Sequence, residues 1–135
     1  MEFETIKNYL EKPGKKDEPT EIHKLPLRFF DAFIVHGLRI DQIEHGRVLC
    51  SFNVPQRLLN TANTLHGGAI ASLVDLVGSA VVFTVGAPST GVSVEINVSY
   101  LDAALPDVLR VMWLLLCYPD IERKRLYGCR FEGRD

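Results

Sequence analysis

The stretch NTANTLHGGAIASLVDLVGSAVVF, Asn60 to Phe83, decides how the chain is read. A polar loop rich in Asn and Thr ends at His66, two glycines follow, and from there almost every residue is small or apolar. The run reads as a long helix that is apolar nearly all round, with Ala69, Ile70, Leu73, Val74, Val77, Val81 and their neighbours on every side. A helix of that kind is buried on most sides. One carboxylate, Asp75, sits in the middle of it. Taking an unpaired carboxylate out of water costs several kcal/mol. Asp75 therefore faces a solvent gap, bonds to a neighbouring hydroxyl, or serves as a general base or nucleophile in a partly dry cleft.

The flanks supply the sheet. Downstream, GAPSTG (Gly86–Gly91) is a turn cluster, and VSVEINVSYL (Val92–Leu101) alternates more cleanly than any other segment. Val92, Val94, Ile96, Val98 and Tyr100 share one face; Ser93, Glu95, Asn97 and Ser99 share the other. Upstream, GRVLCSFNVP places Val48, Cys50, Phe52 and Val54 on one face and is stopped by Pro55. It pairs as a hairpin with a strand expected from about Leu38 to Ile43, across the turn EHG. A helical turn is expected around Phe29–Phe33, and a loop or short helical turn over QRLLNTANTL. Residues 3–12 have helical spacing, and KPGKKDEPTE (Lys12–Glu21) is a Pro- and Gly-broken linker. The economical arrangement is α+β: an antiparallel sheet wrapped around one long buried helix. Residues 1–24 form the N-terminal helix and linker, and 25–135 a single domain.

Composition narrows the function. The chain has 135 residues, 47% hydrophobic and 24% charged, which suits one globular domain with its own core. A net charge of -2 implies no basic face for nucleic acid. Cys50, Cys117 and Cys129 are odd in number and form no C-x-x-C pair, so they read as reduced thiols of an intracellular protein. The N-terminus has no apolar signal core, and VMWLLLCY is far short of a membrane span. His23, His36, His45 and His66 lack metal-ligand spacing. Neither a G-x-S-x-G elbow nor a phosphate-binding loop occurs.

A long helix opened by LHGGAIASLVD and followed by GVSVEINVSYL resembles the hotdog fold of the small acyl-CoA thioesterases, the PaaI-like group, with wording close to plant members. The resemblance runs from about Leu25 to Ala104. It implies hydrolysis of an acyl-CoA thioester to free acid and coenzyme A, with no cofactor, since coenzyme A enters with the substrate. It implies that Gly67 polarises the thioester carbonyl and that Asp75 activates water or attacks directly. Asn60 would help position the water or the carboxylate, His66 would orient the loop and the thioester, and Ser93 would bond to Asp75 or the water. Gly68, Tyr100 and Leu101 would lie against the ligand.

The residues themselves support part of this. The first N–H groups of a helix lack intrahelical partners and carry the positive end of its dipole, which suits a developing oxyanion. A tight turn needing glycine, a loop-capping Asn60, a backbone-bonded His66 and an outward-facing Ser93 are the plain alternatives. Asp75 lies eight residues beyond Gly67, roughly 12 Å along a helix axis. One chain therefore cannot bring both groups within about 3 Å of one reacting centre. The expected site is shared by two copies in a homodimer, which the resemblance extends to a dimer of dimers.

After Ala104 the resemblance fails. LPDVLRVMWLLLCYPDIERKRLYGCRFEGRD lacks the alternation of late hotdog strands and reads like a shifted frame or an alternatively spliced end. VMWLLLC can fill one strand slot. RLYGCRFEG is a weak last strand, and Arg123-Lys124-Arg125 reads as a solvated turn. That ending motivates a rival reading: an impaired isoform that binds acyl-CoA or assembles with full-length subunits. A hotdog dehydratase fits the spacing less well. The expected compartment is the cytoplasm, with peroxisome or another organelle left open.

Overall fold

The computed structural model of the chain describes residues 24–86, 88, 92–93, 95–106 and 109–115, together with the helical positions Thr5, Lys7 and Leu10; for 109–115 it describes the backbone alone. The elements are α1 (Phe29–Val35), β1 (Arg39–Glu44), β2 (Arg47–Asn53), a 3-10 turn (Gln56–Leu58), α2 (Gly67–Thr84) and β3 (Leu109–Leu115). The rest of the expected N-terminal helix, the linker, Cys117, Cys129, RLYGCRFEG and the basic run lie outside the described residues.

The hairpin forms where the alternation places it. β1 and β2 pair antiparallel, with Glu44 opposite Arg47 at the reversal. Gly46 takes a φ of +73°, which only glycine adopts cheaply. Ile40 pairs with Cys50 but Gln42 with Leu49, so Asp41 is an extra residue that bulges the edge strand. β3 pairs antiparallel with the other edge of β2, from Arg47↔Leu115 to Asn53↔Leu109, giving the order β1-β2-β3. The apolar run Val111–Leu115 thus does occupy a strand slot.

Helix α2 lies on this sheet. Ala69, Ile70, Leu73, Val77 and Val81 recur at helical spacing and are buried, and so are Val48, Cys50, Phe52 and Val54 on one face of β2. Period 3.6 meets period 2, and the two stripes make one core. Both helix ends are tied down. The Gly46 N–H donates to Thr84 Oγ1 at 2.8 Å, joining the hairpin turn to the C-terminus of α2. At the other end, His66 N donates to Leu58 O and Leu65 N to Ala104 O, each at 2.8 Å. By length and composition α2 would also pass as a membrane span. Here one stripe of it is the core of the domain.

Two expectations need correction. The helix is not buried on most sides: Val74, Asp75, Leu76 and Ser79 are half-buried, and Ala80 and Phe83 are exposed. The described sheet has only three strands and covers one side. The segment read as the clearest strand, Val92–Leu101, carries no ladder among its described residues. Its supposed inner face is open, with Val92 87% and Tyr100 57% exposed. Alternation reports a pleated segment with one apolar face; it does not report what covers that face. The segment runs back past α2, where Val98 and Ala104 touch the core.

Cys50 is a fully buried thiol outside any disulfide among the described residues, and burial, with a smaller push from Asp41, raises its pKa from 9.0 to about 11. The folded state thus holds its proton where the unfolded chain releases it. That contribution to stability is complete below pH 9 and is lost as pH rises toward about 11. Urea unfolding at pH 7, 9 and 10.5 should show this decline, and Cys50→Ala should flatten it.

Candidate active site

The first turn of α2 has an unusual cap. His66 is the N-cap, with extended backbone (φ -62°, ψ 131°), and its Nδ1 accepts from Gly68 N at 2.8 Å. An Nδ1 that accepts leaves the proton of a neutral imidazole on Nε2. The His66 carbonyl accepts from Ala69 N and Ile70 N at 2.9 and 3.1 Å. Of the first four helical N–H groups, Gly67 alone makes no hydrogen bond among the described residues. An N–H left without a partner among the described residues, at the positive end of an 18-residue helix, is a ready donor to a carbonyl oxygen.

Of the two glycines, Gly68 has the steric reason, while a Cβ on Gly67 would make only ordinary contact with Tyr100. A Cβ on Gly68 would lie 3.0 Å from His66 Nδ1, against the capping ring. A Cβ on Gly67 would lie 3.4 Å from Tyr100 Cε1. The Tyr100 hydroxyl donates to Gly67 O at 3.0 Å, so its ring stands beside the first residue of the helix.

Asn60 organises the loop that delivers His66. Its Oδ1 accepts from Ala62 N at 3.0 Å and Thr64 N at 3.1 Å, and its Nδ2 donates to Thr64 Oγ1 at 3.0 Å. Backbone bonds Asn60 N to Thr64 O and Asn63 N to Asn60 O close the turn, with Asn63 at φ +60°. Short polar side chains stabilise such turns by bonding their own backbone. A bridge between Leu59 and Leu65 then sets the direction of the chain into α2.

Asp75 is half-buried on α2 and accepts a hydrogen bond from Ser93 Oγ. That answers the question raised by a lone carboxylate in an apolar helix: it keeps a hydroxyl partner and an open side. The expected residues thus form two groups on one helix. His66, Gly67, Gly68 and Tyr100 meet at its N-terminus, with Asn60 behind them; Asp75 and Ser93 meet two turns on, roughly 12 Å along the axis. Leu101 is 92% exposed. Among the described residues no cluster of His, Cys, Asp or Glu could hold a metal ion.

Sequence reasoning missed a third feature. An apolar cavity of about 410 Å³ opens between α1 and the start of α2. Phe30, Phe33 and Ile34 come from α1, Leu58 and Leu59 from the turn after β2, and Ala69 from α2. Arg57 holds this wall in place. Its guanidinium donates to Phe33 O at 2.7 Å, to Ile34 O at 3.5 Å and to His36 O, satisfying carbonyls at the end of α1. It also lies 5.9 Å from the Phe33 ring centroid. The aromatic spacing in FFDAF was the available signal, but the clamp joins residues more than twenty positions apart.

Known proteins resemble this chain over its middle. The family model described as Thioesterase superfamily matches residues 62–112, the stretch that contains α2 and most of β3. A Schizosaccharomyces pombe protein named as an esterase is 38% identical over 74 residues, 55% of this chain and 46% of that one. Human acyl-coenzyme A thioesterase 13 is 36% identical over 59 residues, 44% of this chain and 42% of that one. The chain spans about half the length of the curated relatives it matches. Among solved structures, thioesterase superfamily member 2 from Mus musculus superposes with a TM-score of 0.62 at 21% identity, covering 73% of this chain and 72% of that one. A Streptococcus pneumoniae thioesterase protein crystallised with coenzyme A gives 0.61 at 25% identity, covering 68% and 71%. The fold is the α+β hotdog, with α2 as its central helix. None of these relatives is a plant protein, so they lend no support to the plant-type wording of the motif.

The cap should be measurable as stability. Replacing an N-cap acceptor by alanine costs about 1 kcal/mol. His66→Ala should therefore lower the urea midpoint by that equivalent, and His66→Asn, which restores a side-chain acceptor, should recover most of it.

Proposed function

We propose that the protein is an acyl-CoA thioesterase whose site is completed by a second copy of the chain. The observation that carries this reading is the free Gly67 N–H at the positive end of α2, on the same helix as a half-buried carboxylate held by a serine hydroxyl. The thioester carbonyl oxygen accepts from Gly67 N–H. Asp75 of the other copy takes a proton from water as the water oxygen bonds to the carbonyl carbon. The tetrahedral oxyanion gains its stabilisation at the helix N-terminus. When it collapses, the C–S bond breaks and the proton returns to the departing thiolate. The products are the free acid and coenzyme A.

The supporting groups have work that fits this scheme. Ser93 orients Asp75, Tyr100 steadies Gly67, and Asn60 and His66 hold the loop so that the Gly67 N–H faces outward. Gly68 keeps space for the capping ring, and Leu101 offers its exposed side chain to ligand or partner. The need for a second copy follows from the separation of Gly67 and Asp75 along one rigid helix. It also fits the open apolar residues Phe83, Val92, Ile96 and Leu101, which a homodimer would cover. A dimer of dimers and a cytoplasmic setting are further parts of the proposal. Coenzyme A in the Streptococcus pneumoniae structure, and the name of the human relative, support the substrate class.

A second reading has one observation in its favour: the match to the family model ends at residue 112, inside β3. A chain divergent beyond that point would bind acyl-CoA, or join full-length subunits, without turning over.

Thiol release from a panel of acyl-CoAs separates the two. The proposal expects turnover that Asp75→Asn lowers by about 10²–10⁴-fold, as loss of a general base does. Gly67→Pro removes the N–H at a position where helices accept proline. Mixed with Asp75→Asn, it should regain activity, because one of the two sites in each hybrid dimer is intact. An equimolar statistical mixture would reach about a quarter of wild-type rate in a two-site symmetric dimer. A folded chain that binds but never turns over would favour the second reading.

A further inference from the structure

We infer that β1 is a self-pairing edge: two copies of the chain join through it, antiparallel about a two-fold axis, with Arg39 beside the partner's Glu44 and Ile40 beside the partner's Ile43. This pairing uses none of the residues assigned to catalysis, so it goes beyond the thioesterase reading and does not depend on it.

β1 is the edge of the described sheet, so one side of its backbone has no neighbouring strand among the described residues. It reads RIDQIE, Arg39–Glu44, and all six residues are exposed. The register with β2 shows which way its side chains face. Ile40 lies opposite Cys50, and Ile43 lies opposite Val48. Cys50 and Val48 belong to the buried face of β2. Residues paired across strands share a face, so both isoleucines lie on the core side. In a regular strand, residues three apart face opposite ways. The extra residue, Asp41, is what brings Ile40 and Ile43 to one face. Helix α2 packs on β2 and β3, and the two isoleucines stay 52% and 63% exposed. The core therefore has an apolar margin at this edge that is more than half open.

The strand is complementary to itself. Set antiparallel to a copy, about an axis between Asp41 and Gln42, it places Arg39 against the partner's Glu44, Ile40 against the partner's Ile43 and Asp41 against the partner's Gln42. Symmetry makes each of these pairs twice. Opposite charges and apolar pairs across strands are favourable, and like charges are not. Neighbouring registers lose the match. An axis at Asp41 sets Asp41 against the partner's Asp41, and an axis at Gln42 sets Ile40 against the partner's Glu44. The matched register needs Ile40 and Ile43 on one face, which only the bulge provides.

The end groups are available. The Arg39 side chain is 77% exposed, and its contact with Asp41 is a long 3.9 Å. Glu44 accepts from Gln42 and from Arg47, and a carboxylate has capacity for a further donor. β1 carries neither Lys nor Pro, the residues that often blunt an edge. A bulge blunts an edge by twisting it, but here the axis passes through both bulges and their twists match by symmetry.

The experiment is sedimentation of the 135-residue chain over a range of concentrations, at low and high salt, beside three variants. Arg39→Glu sets like charges at both ends of the pairing, and so does Glu44→Arg. Each alone should weaken association by about tenfold or more, since two ion pairs become two repulsions. An equal mixture of the two should associate again, because each chain then meets opposite charge at both ends. Added salt should shrink these differences. Ile40→Lys, at a half-exposed position, should halve the mass of the wild-type assembly and leave its urea midpoint unchanged. It carries the test if Glu44→Arg, deprived of its bond to Arg47, fails to fold. Single variants that associate like the wild type would overturn the pairing. So would a mixture as weak as its components, or equal mass for wild type and Ile40→Lys at every concentration. Slow amide exchange in β1 at every concentration, with no change of mass, would give the edge to another segment of this chain and would overturn it too. Thiol release enters none of these readouts, so failure of the thioesterase reading is seen separately.

Discussion

The hydrogen bond from Gly68 N to the His66 ring governs the first turn of α2. It satisfies one of the orphan donors of the helix with a side chain, while the His66 carbonyl takes the next two. Among the described residues, what remains without a partner in that turn is a single N–H, on Gly67, at the end of the dipole. The loop before it, closed by Asn60, and the Leu65–Ala104 and Leu58–His66 bonds behind it hold that turn on the sheet. Ordering so many groups around one donor costs conformational entropy. The core formed by β2 and the buried stripe of α2 offsets that cost.

Much of this was legible in the sequence because the signals are local. Val48, Cys50, Phe52 and Val54 mark one face of β2 by alternation alone, and the reversal before it falls at a glycine. The paired glycines at 67 and 68 mark the start of α2, and the turn cluster from Gly86 marks its end. The hydroxyl partner of Asp75 was anticipated as a type of contact, and Ser93 supplies it.

The rest was illegible for a physical reason. A strand needs a neighbour, and nothing in the alternation of Val92–Leu101 says where the neighbour comes from. Here β3 pairs with β2, and the described part of that segment is left without a ladder. The α1 wall was hidden for a related reason. Arg57 reads as one more surface cation until the fold brings it under the carbonyls of Phe33, Ile34 and His36. A backbone-bonded His66 was among the readings of the sequence, and its ring does accept from Gly68 N; its place as the N-cap carried no signal, since capping is the habit of Ser, Thr, Asp and Asn.

Because α2 is pinned at both ends, by Thr84 to the hairpin and by Leu65 and His66 to the loops, it acts as a ruler with an angular scale. Eight residues separate Gly67 from Asp75, which turns the carboxylate about 80° past two full revolutions from the glycine. One residue added between them would swing Asp75 by about 100° and lift it about 1.5 Å, taking it off Ser93. The side chains in that interval can change within the limits of the core, but their number cannot. Gly68 apart, whose place beside the His66 ring leaves no room for a side chain, the number of residues in that interval constrains the helix more than their identity does.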